Sequence, residues 1–294
     1  MEYASAMDLK RTLHERKLDS SKRDNGRVMI VGGSKDFHGA PALAGNAAYA
    51  LLASLRAGAG YATAFVPKSV LVPARCVAPD VVVRPLKGGN LTAADARMVS
   101  ERMKDYDSVV VGPGLGRTEG AAAAAAMIIR NAMAGGLNIV VDADAIRTIP
   151  GRLRRLGRNV VVTPQDREFS VLCGRALGNM DWKHRIGAAV KAASELGCNV
   201  LLKGHRTIIT DGRKVKIVRP RSAALATMGT GDVLSGVIGG IAANHDDMFE
   251  AAVAGAYLHA SIGDVLHNRI GDRIIPSDIV NEMPHSIMRL VRAH

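Results

Sequence analysis

A glycine-rich segment late in the chain has the composition of an anion-binding loop. Residues 226–236 read ATMGTGDVLSG, and these small residues lead directly into an apolar pattern with helical spacing. Because Gly229 and Gly231 have no Cβ, consecutive backbone N–H groups can point at one anion, and the positive end of the following helix strengthens the attraction. The segment is therefore predicted to bind a phosphate or another oxyanion.

One carboxylate lies beside this loop. Asp232 falls in the first turn of the predicted helix, where it can take the proton of a substrate hydroxyl that attacks a phosphoryl group. A carboxylate at this position is equally suited to capping the helix. The flanking sequence favours the first role, and we predict that Asp232 is a general base.

A second glycine-rich loop and a lysine also follow predicted strands. Gly112, Gly114 and Gly116 come directly after a buried strand, and a loop with so little side-chain bulk lets a dinucleotide lie against the backbone. Lys203 ends another apolar strand and places an ammonium group at the edge of the sheet, where it can meet phosphate charge. A plain strand-to-helix turn and a lysine that extends into solvent are the alternatives.

Acidic residues follow two other strands. Asp142 and Asp144 alternate around Ala143, and Glu168 lies beyond the next strand. Mg²⁺ keeps several waters and needs only one or two carboxylates besides nucleotide phosphates, so Asp142 and Glu168 are candidate ligands. Capping of a helix by Asp142 or Asp144 explains the same residues equally well.

The elements that must position these residues alternate between strands and helices. Short β-branched runs separated by Ala-rich or amphipathic stretches are typical of βαβ units in a parallel sheet. The predicted strands cover residues 28–31, 60–65, 81–84, 108–111, 138–141, 159–163 and 199–203.

The last third of the chain has a different pattern. Two β-branched runs, 206–210 and 214–218, flank Asp211-Gly212-Arg213, which predicts an antiparallel hairpin. We expect a single α/β domain over residues 1–294, with a basic lead-in over residues 1–25. Apolar spacing predicts helices within residues 233–243, 249–265 and 279–291.

Composition limits the classes of function. Of the 294 residues 48% are hydrophobic but only 3% are aromatic, and 31 are glycine, which suits a parallel sheet covered by closely packed Ala-rich helices. The formal net charge is +12, but the basic runs carry no interleaved aromatic residues of the kind that stack on bases. Phosphorylated small molecules are therefore favoured over nucleic acid as partners.

The cysteines and the apolar runs indicate in which cellular compartment the protein works. Cys76, Cys173 and Cys198 show no CxxC spacing, so neither a disulfide framework nor a structural zinc site is expected. The longest apolar runs, such as residues 121–129, are far shorter than the roughly 20 residues that span a bilayer. The N-terminus also lacks the pattern of a targeting peptide. We expect a cytoplasmic protein with no membrane partner.

Several motifs together resemble a known family. The Gly-Thr-Gly-Asp and Val-Leu-Ser-Gly of residues 229–236 look like the signature of the ribokinase-like superfamily. Further motifs are similar, in the same order along residues 26–284, to those of the ADP/ATP-dependent NAD(P)H-hydrate dehydratases. These motifs lie at residues 26–34, 37–41, 56–60, 112–116, 142–145, 163–169 and 202–204.

The resemblance implies a fold, a reaction and its cofactors. The fold is ribokinase-like, with a central, mostly parallel sheet flanked by helices on both faces. With Mg²⁺ present, ADP or ATP phosphorylates the 6-hydroxyl of hydrated NADH or NADPH, and departure of phosphate restores the double bond. Both nucleotides place the same phosphates in the loop, so both stay candidates. The family also makes a homo-oligomer, such as a tetramer, the expected assembly.

The resemblance also assigns roles to individual residues. The catalytic residues would be Asp232, Gly229 and Gly231. The substrate contacts would be Ala40, Gly112, Gly114, Gly116, Gln165 and Asp232. The nucleotide contacts would be Lys203, Gly204, His205, Arg206, Thr207, Thr230 and Gly231, and the metal ligands Glu168 and Asp142.

The chain departs from the family pattern near the predicted site. Gln165 stands where the family usually has His after Thr-Pro, and a glutamine can donate and accept hydrogen bonds but cannot titrate near neutral pH. Arg147 replaces a usual Asn, and Met228 replaces a usual Gly. A proton-transfer role at position 165 is therefore excluded, and some substrate contacts are expected to differ.

Two other functions share parts of this pattern. A kinase of the same fold, acting on a sugar, a hydroxymethylpyrimidine or a thiazole alcohol, would use the same loop and Asp232 but release a stable phosphorylated product. A non-catalytic nucleotide or nucleic-acid binder would show salt-dependent binding without turnover. The order of the motifs along the chain favours the dehydratase over both.

Overall fold

In the part of the chain that the structure describes, ten strands form one sheet at the centre of the molecule. The computed structural model describes residues 1–13, 15–35, 40–174, 176–178, 181–219 and 222–292, and within 40–46 the backbone alone. The strands are β1 (Glu2–Tyr3), β2 (Arg27–Val31), β3 (Tyr61–Pro67), β4 (Val82–Leu86), β5 (Ser108–Val111), β6 (Asn138–Val141), β7 (Val160–Val162), β8 (Asn199–Leu202), β9 (Thr207–Thr210) and β10 (Val215–Val218).

The order across the sheet is β1-β10-β9-β8-β7-β6-β5-β2-β3-β4. Neighbouring strands are parallel except that β9 runs antiparallel to both β8 and β10. Strands β3 and β4 follow β2 on one side of it in the sheet, whereas β5 to β8 lie on the other side in sequence order. Ligands of open α/β sheets bind in the crevice at such a reversal, beyond the carboxyl ends of the strands. The fold therefore favours a ligand site near the loops that follow β2 and β5.

Helices cover both faces of the sheet. They are α1 (Ala6–Thr12), α2 (Ala40–Arg56), α3 (Leu71–Val77), α4 (Ala93–Glu101), α5 (Glu119–Ala134), α6 (Asp166–Cys173), α7 (Trp182–Leu196), α8 (Thr230–Ala242), α9 (Met248–Ile270) and α10 (Pro276–Arg292). No helix in the described ranges is both long enough and apolar enough to cross a bilayer.

Alternate residues of the strands enter two separate hydrophobic cores. Val28 and Ile30 of β2 pack with α1, α2, α8, α9 and α10 on one face. Met29 and Val31 pack with α4, α5, α6 and α7 on the other face. Successive side chains of a strand point to opposite faces, so a strand that is apolar throughout is buried on both sides. This arrangement accounts for the continuous β-branched runs in the sequence.

Glycine lets two of these helices pack at backbone distance. A Cβ at Gly236 of α8 would lie 2.1 Å from the carbonyl oxygen of Ala50 in α2, and one at Gly240 would lie 2.4 Å from that of Ser54. Neither distance is compatible with a side chain, so close packing requires glycine at both positions. The predicted close packing of Ala-rich and Gly-rich helices is confirmed.

The predicted strands, the hairpin and the three late helices are confirmed, with bounds that differ by a few residues. The expectation for residues 1–25 was incomplete, because this segment contains β1 and α1. Strand β1 pairs in parallel with β10, Leu9 of α1 is fully buried, and Lys216 forms ion pairs with Glu2 and Asp8 at 3.0 Å each. The N-terminal segment therefore belongs to the sheet and to the core.

Candidate active site

The anion-binding loop (residues 226–231) is held in one conformation at the start of α8. Gly229 has φ +89°, a left-handed conformation that side chains disfavour, and it caps the helix. The Thr230 hydroxyl lies 2.7 Å from the Leu225 carbonyl and 2.9 Å from that of Thr227. The amide of Gly231 lies in the first helical turn, where the helix supplies no acceptor. The Gly231 amide is therefore available to an acceptor outside the helix, and the binding of an anion there stays a prediction.

Asp232 is buried beside this loop and has an unusual pKa. The residue is only 8% exposed. Burial raises the pKa of its carboxyl group from 3.8 to about 7, the negative charge of Asp142 adds to this effect, and Lys203 opposes it. A carboxyl group with a pKa near 7 can exchange a proton at neutral pH, which a general base must do. Asp232 therefore has the electrostatics expected of its predicted role.

Lys203 and Asp142 form a buried ion pair next to Asp232. The Lys203 Nζ lies 2.9 Å from Asp142 Oδ1, and the Thr163 hydroxyl donates to the same oxygen at 2.6 Å. Burial works to lower the pKa of Lys203, but the carboxylates of Asp142 and Glu168 outweigh it and raise that pKa above its usual value. Lys203 therefore stays a cation, and both Lys203 and Thr163 contact the same oxygen of Asp142.

Glu168 is the second residue predicted to bind a metal. It lies in the first turn of α6, where its Oε2 accepts a hydrogen bond of 2.7 Å from the backbone N–H of Gln165. Burial raises the pKa of its carboxyl group, and Asp142 contributes, while Lys203 acts in the opposite direction. Within the described ranges no group of three or more His, Cys, Asp or Glu residues could hold a metal ion. Glu168 could therefore bind Mg²⁺ only together with water and phosphate oxygens.

Two adjoining cavities open around these groups. The smaller one, of about 470 Å³, contains Asp232, Glu168, Asp142 and the anion-binding loop. The larger one, of about 660 Å³, extends from Gly231 past Lys203, Gly204, His205 and Thr207 to α9. Gln165, Lys203, Thr230 and Gly231 line both cavities. A ligand in the larger cavity can thus reach the loop and Asp232 with one end.

Most of the predicted nucleotide contacts line the larger cavity, but Arg206 does not. Its guanidinium group stacks over the ring of Trp182 at 4.4 Å from the ring centre. Arg185, which the sequence did not single out, donates to the carbonyl of Lys203 at 3.1 Å and pairs with Asp166 at 2.7 Å. Arg206 and Arg185 therefore support the segment that contains Lys203 and Gly204.

The glycine loop (residues 112–116) lies at the crevice between β5 and β2. Gly112 has φ +138°, and a Cβ there would lie 1.8 Å from the carbonyl oxygen of Asp142. The amide of Gly33 donates to the Pro113 carbonyl at 2.8 Å and joins this loop to the end of β2. Ala40 is the first residue of α2, but its side chain and residues 37–39 lie outside the described part of the chain. The loops after β2 and β5 thus contact each other and Asp142, but Gly112, Gly114 and Gly116 line neither of the two cavities described above.

One buried residue of the site was not predicted. His259 lies in a mostly apolar stretch of α9, residues 251–262, lines the larger cavity and has no hydrogen-bond partner at Nε2 among the described residues. Burial lowers the pKa of its imidazole to about 4, although a contact with the backbone of Thr230 works against this. His259 is therefore neutral at pH 7. A lone polar residue in an apolar helical pattern is a weak signal, and the distance to residue 230 along the chain hides this contact.

The fold is that of a ribokinase-like protein, and the candidate site combines a glycine-rich helix start with the buried carboxyl group of Asp232. A model of the NAD(P)H-hydrate dehydratase family matches residues 28–285. The chain belongs to this family.

Individual relatives agree with this assignment. The chain is 32% identical to the ADP-dependent (S)-NAD(P)H-hydrate dehydratase of Nitrosopumilus maritimus, over 94% of this chain and 93% of that protein. It is 34% identical to the bifunctional NAD(P)H-hydrate repair enzyme of Pyrobaculum aerophilum, over 93% of this chain but 53% of that protein. The chain therefore spans about half the length of its bifunctional relatives.

Solved structures give the same result for the fold. The ADP/ATP-dependent NAD(P)H-hydrate dehydratase of Bacillus subtilis, co-crystallised with ATP and Mg²⁺, superposes with a TM-score of 0.83 at 25% identity and 98% coverage of both chains. A hydroxyethylthiazole kinase from Pyrococcus horikoshii has the same fold at a lower TM-score of 0.61 and 16% identity. The structural similarity is thus greater to the dehydratase than to this kinase.

Proposed function

We propose that this protein is a dehydratase that uses ADP or ATP to return hydrated NADH or NADPH to the reduced dinucleotide. The observation that carries the proposal is the juxtaposition of Asp232, whose pKa is raised to about 7, and the anion-binding loop at the start of α8. Membership of the NAD(P)H-hydrate dehydratase family supports the choice of substrate.

In the proposed reaction the nucleotide occupies the larger cavity with its terminal phosphate at residues 229–231. Asp232 takes the proton of the substrate 6-hydroxyl as its oxygen bonds to the terminal phosphorus, and the bond from phosphorus to the donor nucleotide breaks. The phosphate then leaves the ring carbon with the C–O electron pair. Loss of a proton from the adjacent carbon restores the double bond. The shortened nucleotide and inorganic phosphate are the other products.

Other residues of the site have supporting roles in this proposal. Lys203 keeps a positive charge next to the phosphates and lowers the pKa of Asp232, which favours its basic form. Gln165 caps α6, is exposed in both cavities and would contact the substrate by hydrogen bonds. When bound, Mg²⁺ would neutralise phosphate charge, and Glu168 and Asp142, which line the same cavity, are the residues that would hold it through water.

We further propose that residues 1–294 form one dehydratase domain that works in the cytoplasm as a homo-oligomer. Support for the compartment comes from three cysteines that form no disulfide with one another. Support for an assembly comes from large apolar side chains that are exposed late in the chain, Ile270, Ile275 and Met288. Light scattering of the purified protein tests the assembly.

Turnover of hydrated NADPH tests the proposed reaction. Purified protein is incubated with hydrated NADPH, Mg²⁺ and either ADP or ATP, and the near-ultraviolet absorbance of the reduced nicotinamide is followed together with release of inorganic phosphate. We expect both signals to rise at the same rate. A stable phosphorylated product would indicate a kinase, and no recovery with either donor would overturn the proposal.

A further inference from the structure

The segment that follows β6, residues 142–144, contacts both Lys203 and the glycine loop. Strands β5 and β6 pair in parallel with Val111 opposite Val141, so the glycine loop and residues 142–144 leave the sheet side by side. The amide of Asp142 donates to the Val111 carbonyl at 3.0 Å. The two segments are thus in backbone contact where both leave the sheet.

At Ala143 the chain turns, so the side chains of its two neighbours, Asp142 and Asp144, contact different parts of the site. Its φ of +49° makes it the one residue other than glycine with a positive φ in the described part of the chain, and this conformation is strained for a residue with a Cβ. On one side of it, Asp142 binds Lys203 and Thr163. On the other side, Asp144 faces the glycine loop. Strained residues of this kind persist where the surrounding structure requires them.

Asp144 binds the last residue of the glycine loop directly. Its Oδ2 accepts a hydrogen bond of 3.1 Å from the Gly116 amide, and its Oδ1 lies 3.3 Å from the Nε of Arg117. The Asp144 side chain is only 13% exposed, whereas that of Arg117 is 67% exposed. The hydrogen bond to Gly116 is the better shielded of the two contacts and has the stronger effect on the loop.

We propose that Asp144 is a positioning residue that holds residues 112–116 in the shape that accepts the dinucleotide substrate. Gly114 and Gly116 have φ values of +64° and +80°, which glycine adopts readily but does not fix by itself, and the bond from Gly33 to Pro113 anchors only the start of the loop. Asp144 would anchor the other end of the loop, at Gly116, without touching the reacting atoms. The proposal rests on the proposed function, because it assumes that the dinucleotide binds at this loop.

The chain offers a closely matched control. Asp107 also has one backbone contact and one arginine contact. Its carboxylate accepts a hydrogen bond of 2.8 Å from the backbone N–H of Arg27 and lies 3.4 Å from the Nε of the same residue. Asp107 precedes β5, at the opposite edge of the sheet from the site. Asp107→Ala and Asp144→Ala therefore remove the same kinds of contact, but only Asp144→Ala alters the glycine loop.

Two measurements test the proposal. We expect Asp144→Ala to raise the KM for hydrated NADPH by about tenfold, with the KM for the nucleotide within about twofold of wild type, and to raise the Kd for NADPH by a similar factor. Asp144→Asn should restore most of the affinity, because its amide oxygen can still accept from Gly116. Asp107→Ala should lower the melting temperature as Asp144→Ala does, without changing either KM.

The NADPH titration separates this proposal from the proposed reaction. If wild type binds NADPH but does not turn over its hydrate, the reaction is wrong, and the Kd values of the variants still test Asp144. Asp144 has no positioning role if Asp144→Ala binds NADPH as wild type does, or if it raises both KM values equally. An equal rise in Kd for Asp107→Ala would also overturn the proposal.

Discussion

Replacement of Asp232 by Asn separates its catalytic role from its cost to stability. Asparagine has nearly the same shape but can neither ionise nor accept the substrate proton. A general base contributes about 10²- to 10⁴-fold to the rate, so we expect kcat to fall by at least this factor. Nucleotide affinity should stay within about tenfold of wild type, because loss of the base affects the chemical step more than ground-state binding.

The same variant should be more stable than wild type at alkaline pH. Because the folded protein raises the pKa of Asp232 from 3.8 to about 7, ionisation of this group opposes folding. This penalty is absent below about pH 4, grows as the pH rises to 7 and is complete above it, where it amounts to at most about 4 kcal/mol. Asp232→Asn removes the penalty, so its free energy of unfolding should exceed that of wild type at pH 8 and equal it near pH 4.

Kinetics and denaturation test these two expectations on the same protein samples. The kcat and nucleotide Kd come from the absorbance assay and from titration, and the unfolding free energies come from urea denaturation between pH 4 and pH 8. For wild type, kcat/KM should rise with pH through an apparent pKa near 7. Equal loss of turnover and nucleotide affinity, or a destabilised variant at pH 8, would show that Asp232 is a structural residue and refute the reasoning.

Three further changes probe the rest of the site. Gln165→His restores the residue that is usual in the family and should preserve or raise kcat, whereas a collapse of the rate would mean that position 165 serves another ligand. Lys203→Met leaves Asp142 buried and unpaired, which should cost about 3–5 kcal/mol in urea denaturation. The same substitution should also move the rise of kcat/KM to higher pH, since Lys203 lowers the pKa of Asp232. Adding Asp142→Asn to Lys203→Met should recover part of the lost stability. A double variant as unstable as Lys203→Met alone would contradict the pairing of Lys203 with Asp142. Gly112→Ala forces a Cβ against the Asp142 carbonyl and should lower both stability and dinucleotide affinity. Gly120→Ala, in open space on α5, serves as the control and should change both quantities little.

Local sequence patterns were sufficient to predict most of the sheet and the start of α8. The strands are short β-branched runs, and their burial on both faces leaves little ambiguity. The anion-binding loop is contiguous, so Gly229, Gly231 and Asp232 could be recognised together. Strand β1 has only two residues and depends on pairing with β10, far along the chain, so no local pattern indicated it.

Long-range contacts of the site could not be predicted in the same way. Lys203 and Asp142 are 61 positions apart, and their pairing depends on the order of β6, β7 and β8 in the sheet. The sequence suggested Asp142 as a metal ligand because carboxylates suit Mg²⁺, but it did not show that a lysine already occupies one oxygen. Arg206 was grouped with its neighbours in the motif, and its stacking on Trp182 of α7 is another long-range contact that the motif does not indicate.

A crystal structure with a non-hydrolysable ATP analogue, Mg²⁺ and NADPH tests the central claim most directly. The account predicts that the terminal phosphate lies within hydrogen-bond distance of the amides of residues 229–231 and that the Asp232 carboxylate faces the nicotinamide ring. A terminal phosphate bound elsewhere, or an Asp232 side chain that faces away from the cavity, would contradict it.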